Sequence, residues 1–208
     1  CSPFTETTRP AGILPYPSLA PQFNQRQFTF TAWWRPYLEL GDGFARIFQA
    51  DRGLNIGGRR INLRRVNATQ DLDLILPNAE GSNDQIFTFT PSTYAAYEWQ
   101  FVAVVVDVAN MTARIHLNDE YEEFTLPETP AMQNLKRFYL GCVYTASQLN
   151  GDLRGVLLRP YAVSPETVAT WHSLDVPFID PFILPSQWVT QTPDDITIIE
   201  TSENTEVV

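Results

Sequence analysis

Lysine is almost missing from this 208-residue chain: thirteen arginines and the single Lys136 stand against 24 acids, for a net charge of −10. So acidic a chain is a poor candidate for wrapping nucleic acid, whose phosphates are held by clustered cations. Cysteine occurs only as Cys1 and Cys142, and histidine only as His116 and His172. Two cysteines are too few for a disulfide scaffold or a structural zinc site. Cys142, in the apolar run FYLGCVY, reads as a small buried hydrophobe. The Cys-Ser start fits a processed lipoprotein and equally a chain stripped of its initiator Met. No apolar run approaches the ~18 residues of a membrane span. The longest, Phe101 to Val106, suits a buried strand. No G-x-S-x-G elbow is present, neither cysteine has a histidine beside it, and no phosphate-loop lysine follows the glycines of NIGGRR. Those glycines read as turn or bulge residues. We therefore expect no catalytic residues, no cofactor and no metal site.

What remains is globular composition, with 44% hydrophobic and 12% aromatic residues. A body of about 150 residues buries ~70% of its unfolded surface and needs no staple. The two ends differ from the middle. Residues 1–27 hold five prolines, and residues 175–208 hold seven acids, four prolines and no Lys or Arg. Both ends read as extended arms. Both also carry large apolar residues, such as Phe4, Ile13, Leu14, Phe182 and Trp188, which fits arms laid on their own domain or on a neighbour. Between them, residues 28–174 read as strand after strand. FTFTAWW alternates, with Phe28, Phe30, Ala32 and Trp34 on one side and Thr29, Thr31 and Trp33 on the other. WQFVAVVVDV is apolar on both faces, the mark of a central strand covered on both sides. In TARIHLND, Ala113, Ile115 and Leu117 face inward and Arg114, His116 and Asn118 outward. One short helix is expected to run to about Leu174, capped by Ser164, with Pro165 at its first position. Many short strands with turn signals between them point to an all-β antiparallel sandwich with one C-terminal helix and extended arms.

The order of these segments resembles the laminin-G/pentraxin branch of the concanavalin A-like lectin/glucanase superfamily. FTFTAWWRP resembles that group's opening core strand. EWQFVAVVVDVANMTARIHLNDEYEEF resembles its signature hairpin, a Trp entering an apolar strand before a turn and a return strand. FYLGCV and LNGDLRGVLLRPYAVSPETVATW resemble its later strands and closing helix. The resemblance spans about 28–174 and implies a jelly roll. An Asp that supports calcium in some members falls on Arg154 here, and a turn Gly falls on Asp119, so no calcium site is carried over.

The fold alone does not fix a function. Hydrolases of this kind cluster carboxylates, and a retaining glycosidase needs two of them ~5.5 Å apart. The nearest cluster, Asp119, Glu120, Glu122 and Glu123, lies where the resemblance assigns an exposed hairpin, and reads as a solvated rim. Two surfaces are candidates for binding, although Trp33 reads first as buried under the terminal arms or in a second core layer. Trp33, Arg35, Arg114, His116 and Asn118 all point away from the core side of their strands, and on neighbouring strands they would form an aromatic and hydrogen-bonding patch for a glycan. Arg59, Arg60, Arg64 and Arg65 form the strongest local charge, either an edge strand protected by charge or a docking surface. Trp188, Asp194 and Asp195 of a neighbouring copy's arm would suit that surface, because arginine forks bind carboxylates. Two sequons, at Asn67 and Asn110, add nothing outside a secretory setting. Two expectations follow. The first is a non-enzymatic structural or attachment subunit of a large assembly, such as a virion or surface layer, tied to other copies of itself or to neighbouring proteins by its arms. The second is a glycan-binding, lectin-like module of a secreted or cell-surface protein.

Overall fold

The computed structural model describes residues 13–14, 27–37, 43–51, 60–132, 135, 137–141, 149, 151–173, 187–191 and 196–200. Two antiparallel sheets face each other. Sheet A runs β1 (Ile13–Leu14), β10 (Arg137–Leu140), β3 (Phe44–Asp51), β4 (Arg60–Val66), β5 (Leu72–Pro77) and β6 (Asp84–Phe89). Sheet B runs β11 (Gly151–Arg159), β2 (Gln27–Pro36), β7 (Gln100–Asp107), β8 (Thr112–Leu117) and β9 (Glu120–Thr125). A separate two-stranded sheet pairs β12 (Gln187–Gln191) with β13 (Ile196–Glu200). Within the Pro-rich N-terminal stretch, β1 joins the edge of sheet A through Ile13 and Leu14, opposite Tyr139 and Phe138.

Alternation sets the core. Phe28, Phe30, Ala32 and Trp34 of β2 point inward beside Val102, Val104 and Val106 of β7, and meet Ile61, Leu63, Leu72 and Leu74 of sheet A. The sheets touch ring to ring where Phe30 lies 4.3 Å from Phe48. A buried side chain of this size contributes about 1.5–3 kcal/mol. The second apolar face of β7, Phe101, Ala103 and Val105, is buried as well, under helix α1 (Pro165–Ser173). The helix starts as its sequence dictates: Ser164 Oγ accepts the amide of Thr167 at 3.3 Å, a cap on a proline-led first turn. Val168 is its fully buried anchor, and Trp33, Val163 and Trp171 pack around it. No helix among the described residues is long and apolar enough to cross a membrane.

Candidate functional site

The register of sheet B decides what its outward face presents. Residues opposite one another in an antiparallel pair share a face. Asp152 stands opposite Arg35, Arg154 opposite Trp33 opposite Phe101, and Ala103 opposite His116. Trp33, Arg35, Arg114 and His116 therefore lie on one face, as their alternation implies, but helix α1 divides them. Trp33 is tucked beneath the helix, 5.5 Å from the Phe101 ring and 5.7 Å from that of His172. Arg114 is buried, donates to the Val163 carbonyl leading into the helix, and lies 3.7 Å from Glu123. His116 is 3% exposed and stacks on Tyr121. Burial first, and then the nearby Arg114 charge, push its pKa down to about 4. Asn118 closes the β7–β8 end, its Oδ1 accepting the Phe101 amide at 2.9 Å from a left-handed φ of 54°. Of the expected five-residue patch, Arg114 and His116 are corrected to buried residues, Arg114 held by the segment leading into the helix and His116 stacked on Tyr121; Trp33 is half-buried beside the helix, Asn118 is turned to the Phe101 amide, and Arg35 stays at the surface.

Around Arg35 the face stays open, and residues not singled out from the sequence complete a site. Arg35 donates to Asp152 through Nε at 3.0 Å and through a second nitrogen, and Tyr37 donates its hydroxyl to the same carboxylate at 2.8 Å. Burial alone would push the Asp152 carboxyl up, but the hydrogen bonds from Arg35 and Tyr37 outweigh it and hold it below its usual range. The same bond to Asp152 raises the Tyr37 phenol and the Arg35 guanidinium. Arg35 lies 5.1 Å from the Trp99 ring centre, and Arg154 covers that ring at 3.6 Å. Tyr97 stacks on Tyr37 at 5.9 Å and 23°, yet remains 60% exposed. Its backbone is left-handed, φ 67°, pinned by its amide's 2.7 Å bond to the Pro36 carbonyl. A bulky side chain in that region is strained, and such strain gathers at binding sites. Gly151, opposite Pro36, leaves room for the crossing, since a Cβ there would overlap the Arg35 carbonyl oxygen. The signal missed in the sequence is the aromatic density of YAAYEW, three rings within six residues of a loop without alternation.

The arginine group separates too. Arg60 pairs with Asp84 at 2.6 Å, and Arg64 pairs with Asp73 at 2.8 Å while lying over the Phe44 ring. Arg65 is corrected from a docking residue to a core one. It is fully buried, because it shares the inward parity of Ile61 and Leu63, and it donates to the Tyr37 carbonyl, the Tyr94 hydroxyl and Asn67 Oδ1. Arg59, Asp194 and Asp195 lie outside the described residues, and of Trp188 only the backbone, in β12, is described. Most of the acidic rim is tied into the fold, with Glu123 3.7 Å from Arg114. Glu120 accepts the Ser92 amide at 2.7 Å, and Asp119 meets His172 Nδ1 at 2.8 Å, fastening the end of α1 to the β8–β9 turn. Among the described residues no three His, Cys, Asp or Glu side chains gather as a metal site would require.

Comparison with known proteins agrees with this architecture. A family model described as the Concanavalin A-like lectin/glucanases superfamily matches residues 14–169. Among solved structures, the CBM40 module of Ruminococcus gnavus IT-sialidase superposes with a TM-score of 0.61 at 13% identity, covering 73% of this chain and 85% of that one. The same module bound to α2,3 sialyllactose gives 0.57 at 12%, with the same coverage. A leech intramolecular trans-sialidase complexed with 2,7-anhydro-Neu5Ac gives 0.59 at 15%, over 72% of this chain but only 23% of that one. Identities this low establish likeness of fold. Searched against curated proteins, the chain matches none.

Proposed function

The chain belongs to the concanavalin A-like lectin/glucanases superfamily, and from that premise we propose that it is a non-catalytic glycan-binding module of a secreted or surface-exposed protein. Tyr97 carries the reading: an exposed ring held in a strained conformation, backed by Tyr37 and set beside Trp99. An apolar sugar face stacks on such a ring, while Arg35, Asp152 and the Tyr37 hydroxyl supply donors and an acceptor for its hydroxyls. The two guanidiniums on Trp99 favour a sugar with a carboxylate, and the sialyllactose complex of a fold relative makes sialylated oligosaccharides the first probes. Asp119, Glu120 and Glu123 of the acidic rim are tied into the fold, which supports binding rather than hydrolysis. The expectation of an assembly subunit gains nothing from the comparisons.

The test is a glycan array followed by calorimetry with 3′- and 6′-sialyllactose. Wild type binds a defined set of glycans, and Tyr97→Ala weakens that binding at least about tenfold without loss of fold. An array silent for wild type, or a Tyr97→Ala variant that binds as well, overturns the reading.

A further inference from the structure

The opposite side of the sandwich holds a second feature, which the glycan reading leaves unused. On sheet A the residues whose side chains point away from the core are mostly matched. Gln49 donates to Asp51 and accepts from Asn62. Arg64 and Thr88 converge on Asp73, and Arg60 reaches Asp84. Arg46 breaks the scheme. It stands directly opposite Arg64 in the β3–β4 ladder, next to a register shift, so two like charges share one cross-strand pair. Its Nε is inaccessible and has no hydrogen-bond partner, and no ion pair of Arg46 exists among the described residues. Burial, and then the charges of Arg60 and Arg64, hold it below the usual guanidinium range, with no carboxylate among the described residues acting the other way. A half-buried guanidinium without a counterion is destabilising, and proteins that keep one usually give it an anion. With Nε inaccessible, the part of the planar fork left to solvent is its two Nη groups, which suit one chemistry best, an oxyanion taken up by two parallel N–H groups.

We propose that Arg46, paired across the ladder with Arg64 on the outward face of sheet A, binds an oxyanion, the carboxylate or sulfate group of an acidic ligand. Phe44, 37% exposed with Arg64 lying over its ring at 3.6 Å, gives the site an apolar wall. This site is on the other sheet from Tyr97 and does not depend on the glycan reading.

The experiment follows the melting temperature of the full chain against sodium sulfate, sodium glucuronate and N-acetylneuraminic acid, each compared with sodium chloride at equal ionic strength. Wild type gains about 3–6 °C at ten times the Kd of whichever anion it accepts. Response to sulfate alone, or to the carboxylates alone, tells which oxyanion the site takes. Arg46→Met loses the response and melts higher than wild type in chloride, because the repulsion with Arg64 is gone. Arg46→Lys, which keeps the charge without the fork, retains only part of the response. In parallel, the Arg46 Nε–H signal of the wild-type protein shifts with sulfate in NMR, a readout that needs no variant. The proposal is overturned if no anion exceeds chloride, or if Arg46→Met responds as wild type does. Sulfate is no glycan, so a silent glycan array leaves this test intact.

Discussion

The outward face of sheet B has two halves that do different things: one is strand surface met by a helix, the other runs past the ends of β2 and β7 onto Tyr37, Tyr97 and Trp99. In one half Trp33 packs half-buried against a nine-residue helix, Arg114 is buried under the segment leading into it, and His116 is buried beside Tyr121. In the other, two residues further along β2, Arg35 and its neighbours Tyr37, Tyr97 and Trp99 meet solvent. What separates packing from recognition here is not the strand sequence but whether a later segment returns to cover it. An outward-facing aromatic stays accessible only where no such cover arrives.

The comparison is broken most severely by removing the cover. Val168 is fully buried against Phe101, Ala103 and Val105, so Val168→Asp places a carboxylate in an apolar seat and is expected to destabilise the protein by about 3 kcal/mol. Urea unfolding followed by tryptophan fluorescence measures it, and Trp33 should report water at its ring before global unfolding begins. Next in size is acid. His116 is neutral in the folded state, with a pKa near 4 against about 6.5 unfolded. Its contribution is intact above about pH 6.5 and is lost as pH falls toward 4, because the unfolded chain takes up the proton first. The loss approaches 1.4 kcal/mol per pH unit, about 3 kcal/mol in all. His116→Phe should flatten that part of the urea-midpoint profile between those limits.

The open half responds in the opposite sense. Tyr97→Gly relieves a left-handed backbone and should raise stability by about 1 kcal/mol while abolishing sugar binding, a gain no covered residue would show. The smallest effect is expected at Asp152. Its depressed carboxyl stabilises the fold above its ordinary titration range, and that contribution is lost as pH falls through the lower folded value. It is a partly exposed pair, so Asp152→Asn should cost under about 1 kcal/mol, yet it should weaken binding by loosening both Arg35 and Tyr37.

Much of this was legible from residue order. The alternation of Phe28 to Trp34 places the inner face of β2, and the doubly apolar run from Phe101 to Val106 announces a cover on both sides, which the core and α1 supply. The Ser-Pro start of the helix is a local signal and lies where the structure has it. Arg65 could have been read inward too, since strand parity sets it with Ile61 and Leu63; its charge argued for the surface, and the polar loop groups that satisfy it are 28 and 29 residues away. The division of the glycan patch was not legible. It depends on where α1 lands, fixed by partners such as Asp119 and His172 that are 53 residues apart. Nor does any residue pattern reveal that Tyr97 is left-handed, a conformation imposed by the Pro36 carbonyl.

Arg65 has a further meaning for recognition. From behind the platform it grips the Tyr37 carbonyl and the Tyr94 hydroxyl at once, while Gln100 clamps Ala95 through both its amide and its carbonyl. The backbone at Tyr37 and the stretch from Tyr94 to Gln100 are thereby tied to the core. On the proposed glycan-binding reading, a sugar docking there would forfeit little backbone entropy, so even a small contact area could yield a measurable affinity.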